Sequence, residues 1–371
     1  MDVGIVTPRY PPNVAGGGEI SVRLLAEQLQ ESDRVDDLTV LSFDGKGTER
    51  RNGVDVHRLA DVSSFLTEWQ NLRALPKLRR HVDEFDVLHA YNMELNPVVG
   101  AIGTTRQIGT VATLNSYHFL PKAVSNVTPG PLNRLYEAVG HPTTGRIMRR
   151  YMKQIDSFIA LSSPVKNLYT RYGLATEKIE VIPNMLNPLF SVPESQSTEG
   201  CTVLYVGVLK EIKGVEYLLR AFDHLPETYQ LRIVGDGPQQ SELEELMRKL
   251  GLEDSVTFVG SVDHDQIPAQ YAMADLFVHP AVWPEPFGRT ILEAMQAGLP
   301  VVCTDIGGPG YIVQESELKC QPKDPNGLAT AIEHARETAP EVGPRNRAYV
   351  SEEYSPEEVV SKIVDCYRQI Q

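Results

Sequence analysis

PEPFGRTILEAMQAGLPVVCTD, residues 284–305, holds a rigid loop, a helix, a stop and a buried strand in 22 residues. Pro284 and Pro286 flank Glu285 and keep it out of any helix, because proline lacks an amide proton and restricts its predecessor. After Gly288, the residues Ile291, Leu292, Ala294 and Met295 supply apolar faces at helical spacing, so Glu293 is expected in the second turn of a mostly buried helix. Gly298 and Pro300 end that helix, and LPVVCTD reads as a strand.

The same alternation runs along the whole chain. VGIVTP, DLTVLSF, DVLHA, GTVATL, SFIALS and IEVIP read as strands of a first half. TVLYVG, QLRIVGDG, SVTFVG, DLFVHP and LPVVCTD read as strands of a second half. Helical stretches separate them, among them EISVRLLAEQLQ, NRLYEAVG onward to MRRYMKQID, VEYLLRAFDHL and QQSELEELMRKLG. Strand and helix in repeated alternation predict an α/β protein of two doubly wound, parallel-sheet domains. The pattern lapses at NPLFSVPESQSTEG, residues 187–200, the expected linker. Domains are therefore expected at residues 1–187 and 188–354, followed by a closing helix over 355–371 in which Ser355, Pro356 and Glu358 form an N-terminal capping signature.

Composition narrows the function classes. The chain has 371 residues, 42% of them hydrophobic and 23% charged, which fits a folded globular protein. No apolar run approaches the roughly 18 residues that span a bilayer, and MDVGIVTPRY reads as a first strand, not a signal peptide. The four cysteines are scattered and match no metal spacing, so a reduced, cytoplasmic protein is expected. Residues 1–190 carry 21 Lys and Arg against 20 Asp and Glu, whereas residues 191–371 carry 14 against 29. The acidity thus belongs to the second half, either as a solvated surface suited to high salt or as a sign that the halves meet different partners. No basic patch dominates, which argues against nucleic-acid binding.

Three places suggest ligand chemistry. Gly16, Gly17 and Gly18 follow the first strand and open the first helix, where glycines let backbone N–H groups approach an anion, although any flexible loop could look the same. The spacing is not that of a dinucleotide fingerprint, and no acid ends the next strand. Lys213 and Gly214 precede a helix in VLYVGVLKEIKGVEYLL, a placement suited to phosphate and also to an ordinary surface lysine. Glu285 stands ahead of a helix N-terminus that itself favours anions, so a carboxylate there is expected to serve sugar hydroxyls or a positive transition state. Glu293 could accept hydrogen bonds from a ribose.

PEPFGRTILEAMQAGLPVVCTDIGG (284–308), the glycine loop at 16–18, VGVLKEIKG (206–214), VIPN (181–184), IVGDGP (233–238) and ADLFVHPAVWPEPFG (274–288) together resemble the retaining glycosyltransferases of family 4, with their E-x7-E signature. The resemblance covers nearly the whole chain. It implies the GT-B fold: two Rossmann-like domains facing across a cleft, the N-terminal one binding acceptor and the C-terminal one binding a UDP- or GDP-linked sugar, with the closing helix returning to the first domain. It also implies that Glu285 touches the donor sugar and Glu293 the ribose. Lys213, Phe287, Gly288 and Arg289 would hold the diphosphate side, with no metal or other cofactor. Gly16, Gly17 and Gly18 would line the donor–acceptor junction.

Two positions depart from the family pattern. Val208 stands where an arginine clamp is usual, and Arg289 is the expected substitute. Asn115 replaces the histidine of the T-x-H segment, with His118 expected as a pocket wall. A nucleotide-sugar epimerase and a non-catalytic nucleotide-sugar binder remain as alternatives. Two basic runs, Arg73, Lys77, Arg79 and Arg80 and then Arg146, Arg149, Arg150 and Lys153, either are solvated helix faces or dock on an anionic membrane that carries a lipid-linked acceptor.

Overall fold

The structure is a computed structural model that describes residues 1–14, 16–64, 66–121, 138, 140, 142–193 and 200–371. The helical reading of NRLYEAVG lies almost wholly outside these residues, as does the middle of the expected linker. The chain forms two compact units, Met1–Met185 with Pro356–Gln371, and Leu186–Ser355.

The first unit holds strands β1 (Asp2–Thr7), β2 (Asp37–Ser42), β3 (Gly47–Arg51), β4 (Val54–Arg58), β5 (Val87–Ala90), β6 (Gly109–Leu114), β7 (Ser157–Ala160) and β8 (Ile179–Val181). Their order in the sheet is β3-β4-β2-β1-β5-β6-β7-β8, parallel except where β3 runs against β4. Helices α1 (Gly17–Gln30), α2 (Thr67–Leu78), α3 (Asn96–Arg106), α4 (Thr144–Met152) and α5 (Ser163–Arg171) make the crossovers. Strand order reverses between β1 and β5, the place where open α/β sheets accept ligands beyond their carboxyl ends.

The second unit is a parallel sheet of β9 (Cys201–Val206), β10 (Tyr229–Val234), β11 (Val256–Gly260), β12 (Leu276–His279), β13 (Val301–Thr304) and β14 (Lys319–Cys320), in the order β11-β10-β9-β12-β13-β14. It is wound by α6 (Val215–Phe222), α7 (Gln240–Leu250), α8 (Ile267–Ala272), α9 (Arg289–Gln296), α10 (Gly307–Ile312) and α11 (Pro325–Glu353). Continuous buried runs such as VVCT in β13 suit strands covered on both faces. Its switch point lies between β9 and β12.

The last helix, α12 (Pro356–Arg368), belongs to the first unit, where Val359, Ile363, Val364 and Tyr367 pack in one core with Val3, Ile5, Val40 and α1. Polar pairs fix it there: Arg34 bridges Ser361 and Asp365, and buried His89 lies between Tyr367 Oη (2.7 Å) and Thr113 Oγ1 (2.8 Å). Burial pushes the His89 imidazole down to about 3, so it is a neutral core residue at physiological pH.

Candidate active site

In the second unit the loops that follow β9, β12 and β13 are tied into one frame. Val282 N–H donates to Ile212 O (3.0 Å), Thr304 Oγ1 to Ala281 O (2.6 Å), and Gly308 N–H to Glu285 O (2.7 Å). Gly214, at φ 70°, lets the β9 loop press onto the β12 loop, and a Cβ there would lie 2.0 Å from Pro280 O. These bonds hold Glu285 beyond the end of β12, its neighbour β9 supplying Lys213.

Glu285 is 8% exposed, and its Oε1 takes Lys213 Nζ at 2.6 Å and His279 Nε2 at 3.4 Å. Burial alone would push this carboxyl up, but Lys213 and His279 together hold it well below the usual carboxylate range. The group is thus ionised at neutral pH. That suits stabilisation of positive charge or hydrogen bonding to hydroxyls, and it disqualifies Glu285 as a proton donor near pH 7.

Gly288 is the N-cap of α9, its carbonyl accepting Ile291 N–H (3.0 Å), so the amides ahead of Ile291 form the open start of the helix. One and a half turns in, Glu293 accepts from Tyr271 Oη (3.1 Å) and lies 3.6 Å from Arg289. Arg289 thus pairs along its own helix with Glu293, as the i,i+4 spacing allows. Lys213 likewise stands on Glu285, with a quarter of its side chain still exposed. Phe287 is buried against Tyr354, ring centroids 6.0 Å apart, and acts as support for the loop. Val208 is exposed.

A second cluster occupies the switch point of the first unit. Asn92, just after β5, donates to Thr7 Oγ1 (3.3 Å) and accepts from Asn115 Nδ2 (2.7 Å). Gly18 sits so close that a Cβ would fall 2.5 Å from Asn92 Oδ1. Gly16 N–H donates to Glu19 Oε2 (3.0 Å), and Glu19 also accepts from Arg9. Gly17 begins α1. His118, exposed, contacts Thr67 Oγ1 and packs edge-on against Phe119. The loop ahead of Gly16 is anchored by Asp44, which accepts from Tyr10 N–H (3.0 Å), Asn13 and Arg58 (2.6 Å).

Sequence reasoning missed His279, Asn92, Glu19 and Tyr271. Of these only Glu19 carried a local signal, an acid three residues after the N-cap glycine. A groove of about 800 Å³ at the opposite, amino end of the first sheet is not a rival site. Its acids are engaged: Asp83 with Arg106, Asp86 with Asp2 N–H, and Asp156 with Thr110. Among the described residues no cluster of three or more His, Cys, Asp or Glu could hold a metal ion.

Residues 15–188 match the family described as Glycosyltransferase Family 4, and residues 192–351 match Glycosyl transferases group 1. An uncharacterized glycosyltransferase of Methanocaldococcus jannaschii is 29% identical over 359 residues, covering 90% of this chain and 88% of that protein. Among solved structures, sucrose-phosphate synthase from Thermosynechococcus elongatus aligns with a TM-score of 0.81 at 22% identity, covering 100% of this chain and 98% of that one. Anabaena HepE in complex with UDP aligns at 0.78 and 20% identity over 100% of both chains. The fold is GT-B, and the chain is a glycosyltransferase built from a family 4-like domain followed by a group 1 domain.

Proposed function

We propose that this chain is a retaining, metal-independent glycosyltransferase that moves a hexose from a UDP- or GDP-linked donor to a hydroxyl of a glycan, glycolipid or lipid-linked acceptor. The observation that carries this reading is the ionised Glu285 at the β9/β12 switch point, buried beside Lys213 and His279. A carboxylate held below its ordinary range serves poorly as the acid or base of an epimerase, but it can steady an oxocarbenium-like sugar. HepE is known with UDP and with UDP and glucose, which supports a nucleotide-sugar donor here.

In this reading the second unit holds the donor. The sugar C1–O bond to the diphosphate breaks, and its electron pair leaves with the β-phosphate. Lys213, Arg289 and the first amides of α9 near Gly288 offset that charge. The acceptor oxygen bonds to C1 from the same face and passes its proton to the leaving phosphate. Glu293 holds the ribose. The first unit takes the acceptor, with Gly16, Gly17 and Gly18 at the junction, Asn115 on the sugar and His118 as a wall. The enzyme works from the cytoplasm, at the inner face of the plasma membrane. Among the described residues no helix is long and apolar enough to cross a membrane.

A thermal-shift panel of UDP-, GDP- and ADP-sugars tests the donor. One base should raise the melting point clearly, since ligand at 100 times its Kd adds about 2.7 kcal/mol. No shift with any of them, or an epimerised donor as product, would overturn the reading. Glu293→Ala should weaken the preferred nucleotide by roughly 10- to 150-fold, the equivalent of a charge-assisted hydrogen bond of about 1.5–3 kcal/mol. Calorimetric titration of the variant with UDP and GDP checks this, and unchanged affinity removes Glu293 from the ribose.

A further inference from the structure

Of the nine large hydrophobic side chains that are exposed among the described residues, four sit on two neighbouring helices of the first unit. Trp69 (55% exposed) and Leu72 (61%) belong to α2, and Ile147 (53%) and Tyr151 (42%) to α4. The two helices pack in one layer with α3. Thr144 Oγ1 donates to Glu68 (2.7 Å), Asn71 Oδ1 accepts from Val98 N–H (2.9 Å), and α4 approaches so closely that a Cβ on Gly100 would lie 2.1 Å from Tyr151 O. Each exposed stripe is defined by helical spacing. Asn71, Ala74 and Leu78 turn α2 inward, leaving Trp69, Leu72, Arg73 and Pro76 outward; on α4, Ile147 and Tyr151 stand beside Arg146 and Arg150.

The two helices themselves carry charge of almost one sign, although exposed Asp61 stands beside Arg73 at the edge of the face. Glu68 is the one acid within Thr67–Leu78 or Thr144–Met152, and it is half-buried and engaged with Thr144. Arg79, Arg80, Arg146, Arg150 and Lys153 are exposed, and none of them is ion-paired with a described carboxylate. An ordinary solvated face mixes both signs and shows few large apolar groups. Tryptophan, tyrosine and aliphatic side chains interleaved with arginine match instead the boundary between lipid headgroups and acyl chains.

We infer that α2 and α4 form a docking face for an anionic lipid bilayer, with Trp69, Leu72, Ile147 and Tyr151 inserted among the headgroups and the arginines on lipid phosphates. Aliphatic Leu72 and Ile147 gain nothing from a soluble polyanion, and the acidic surplus lies in residues 191–371, away from these helices in sequence. The face supplies the acceptor side of the function proposed above with a partner, and it rests on that reading only for its purpose.

The test uses the full chain with phosphatidylcholine vesicles, with or without roughly one-third phosphatidylglycerol. The chain should sediment with the anionic vesicles alone, less so as salt rises, with a blue shift in tryptophan emission that Trp69→Ser removes. Trp69→Ser with Leu72→Ser, and Arg146→Glu with Arg150→Glu, should each lower partitioning at least about tenfold. Their melting points and donor-induced thermal shifts should stay at the parent values, which separates failure of docking from failure of the donor reading. No sedimentation, equal sedimentation with neutral vesicles, or retention on heparin without an emission shift would each overturn the inference.

Discussion

Glu285→Gln is expected to cut turnover by about 10²–10³ while leaving the affinity for the nucleotide within a few-fold of the parent. The substitution keeps the size and one acceptor oxygen, and it removes the charge. In the parent that charge is buried, with Lys213 at 2.6 Å and His279 at 3.4 Å on the same oxygen, so little reorganisation is needed when positive charge develops nearby. The pH dependence has a definite sign. A carboxyl whose folded value is depressed contributes stability that is present above the ordinary range near 4.3 and is lost as pH falls through the folded value. Parent turnover should therefore show no acid limb from Glu285 near pH 4–5, whereas an ordinary carboxylate would produce one. Steady-state kinetics with the donor identified by thermal shift, together with nucleotide titration, check both statements. Parental turnover in Glu285→Gln would remove the residue from the chemistry, and lost nucleotide affinity would move its role to binding.

The parallel strands were legible because buried runs such as CTVLYV and VVCT announce themselves without long-range information. The β3–β4 hairpin was not. GTERR is almost wholly exposed and has no apolar alternation, so the signal was the Asn52–Gly53 turn, both residues at positive φ, and the short Val54/Val56 alternation after it. Glu285 and Glu293 stood out because prolines, Gly288 and the helical apolar pattern surround them. Their pairings did not. Lys213 lies 72 residues from Glu285, and His279 hides within the apolar run of β12. Arg289 shows what local reasoning leaves out: its position at a helix start suggested an anion clamp, and the structure adds a carboxylate four residues on, 3.6 Å away. Asn92 became visible only when the fold brought β5 beside β1 and β6.

Gly214→Ala should lower the melting point of the second unit by about 4–20 °C and depress transfer with it. Two effects add at this position. At φ 70° a Cβ forces a left-handed backbone, which costs about 1–2 kcal/mol for a residue other than glycine. The new methyl would also lie 2.0 Å from Pro280 O, a backbone atom that cannot rotate away, so the β9 and β12 loops must separate at a further cost of about 1–3 kcal/mol. Those loops carry Lys213 and Glu285, so separation should also loosen the ion pair. Gly251→Ala isolates the first effect: Gly251 shares the conformation, at φ 68°, but a Cβ there meets nothing within 4 Å. It should lose only about 2–8 °C and keep full transfer. Calorimetry and turnover of the two variants, measured side by side, give the contribution of the contact as their difference. Equal losses would mean that the loops yield easily, and that something other than the close approach at Gly214 holds Lys213 against Glu285.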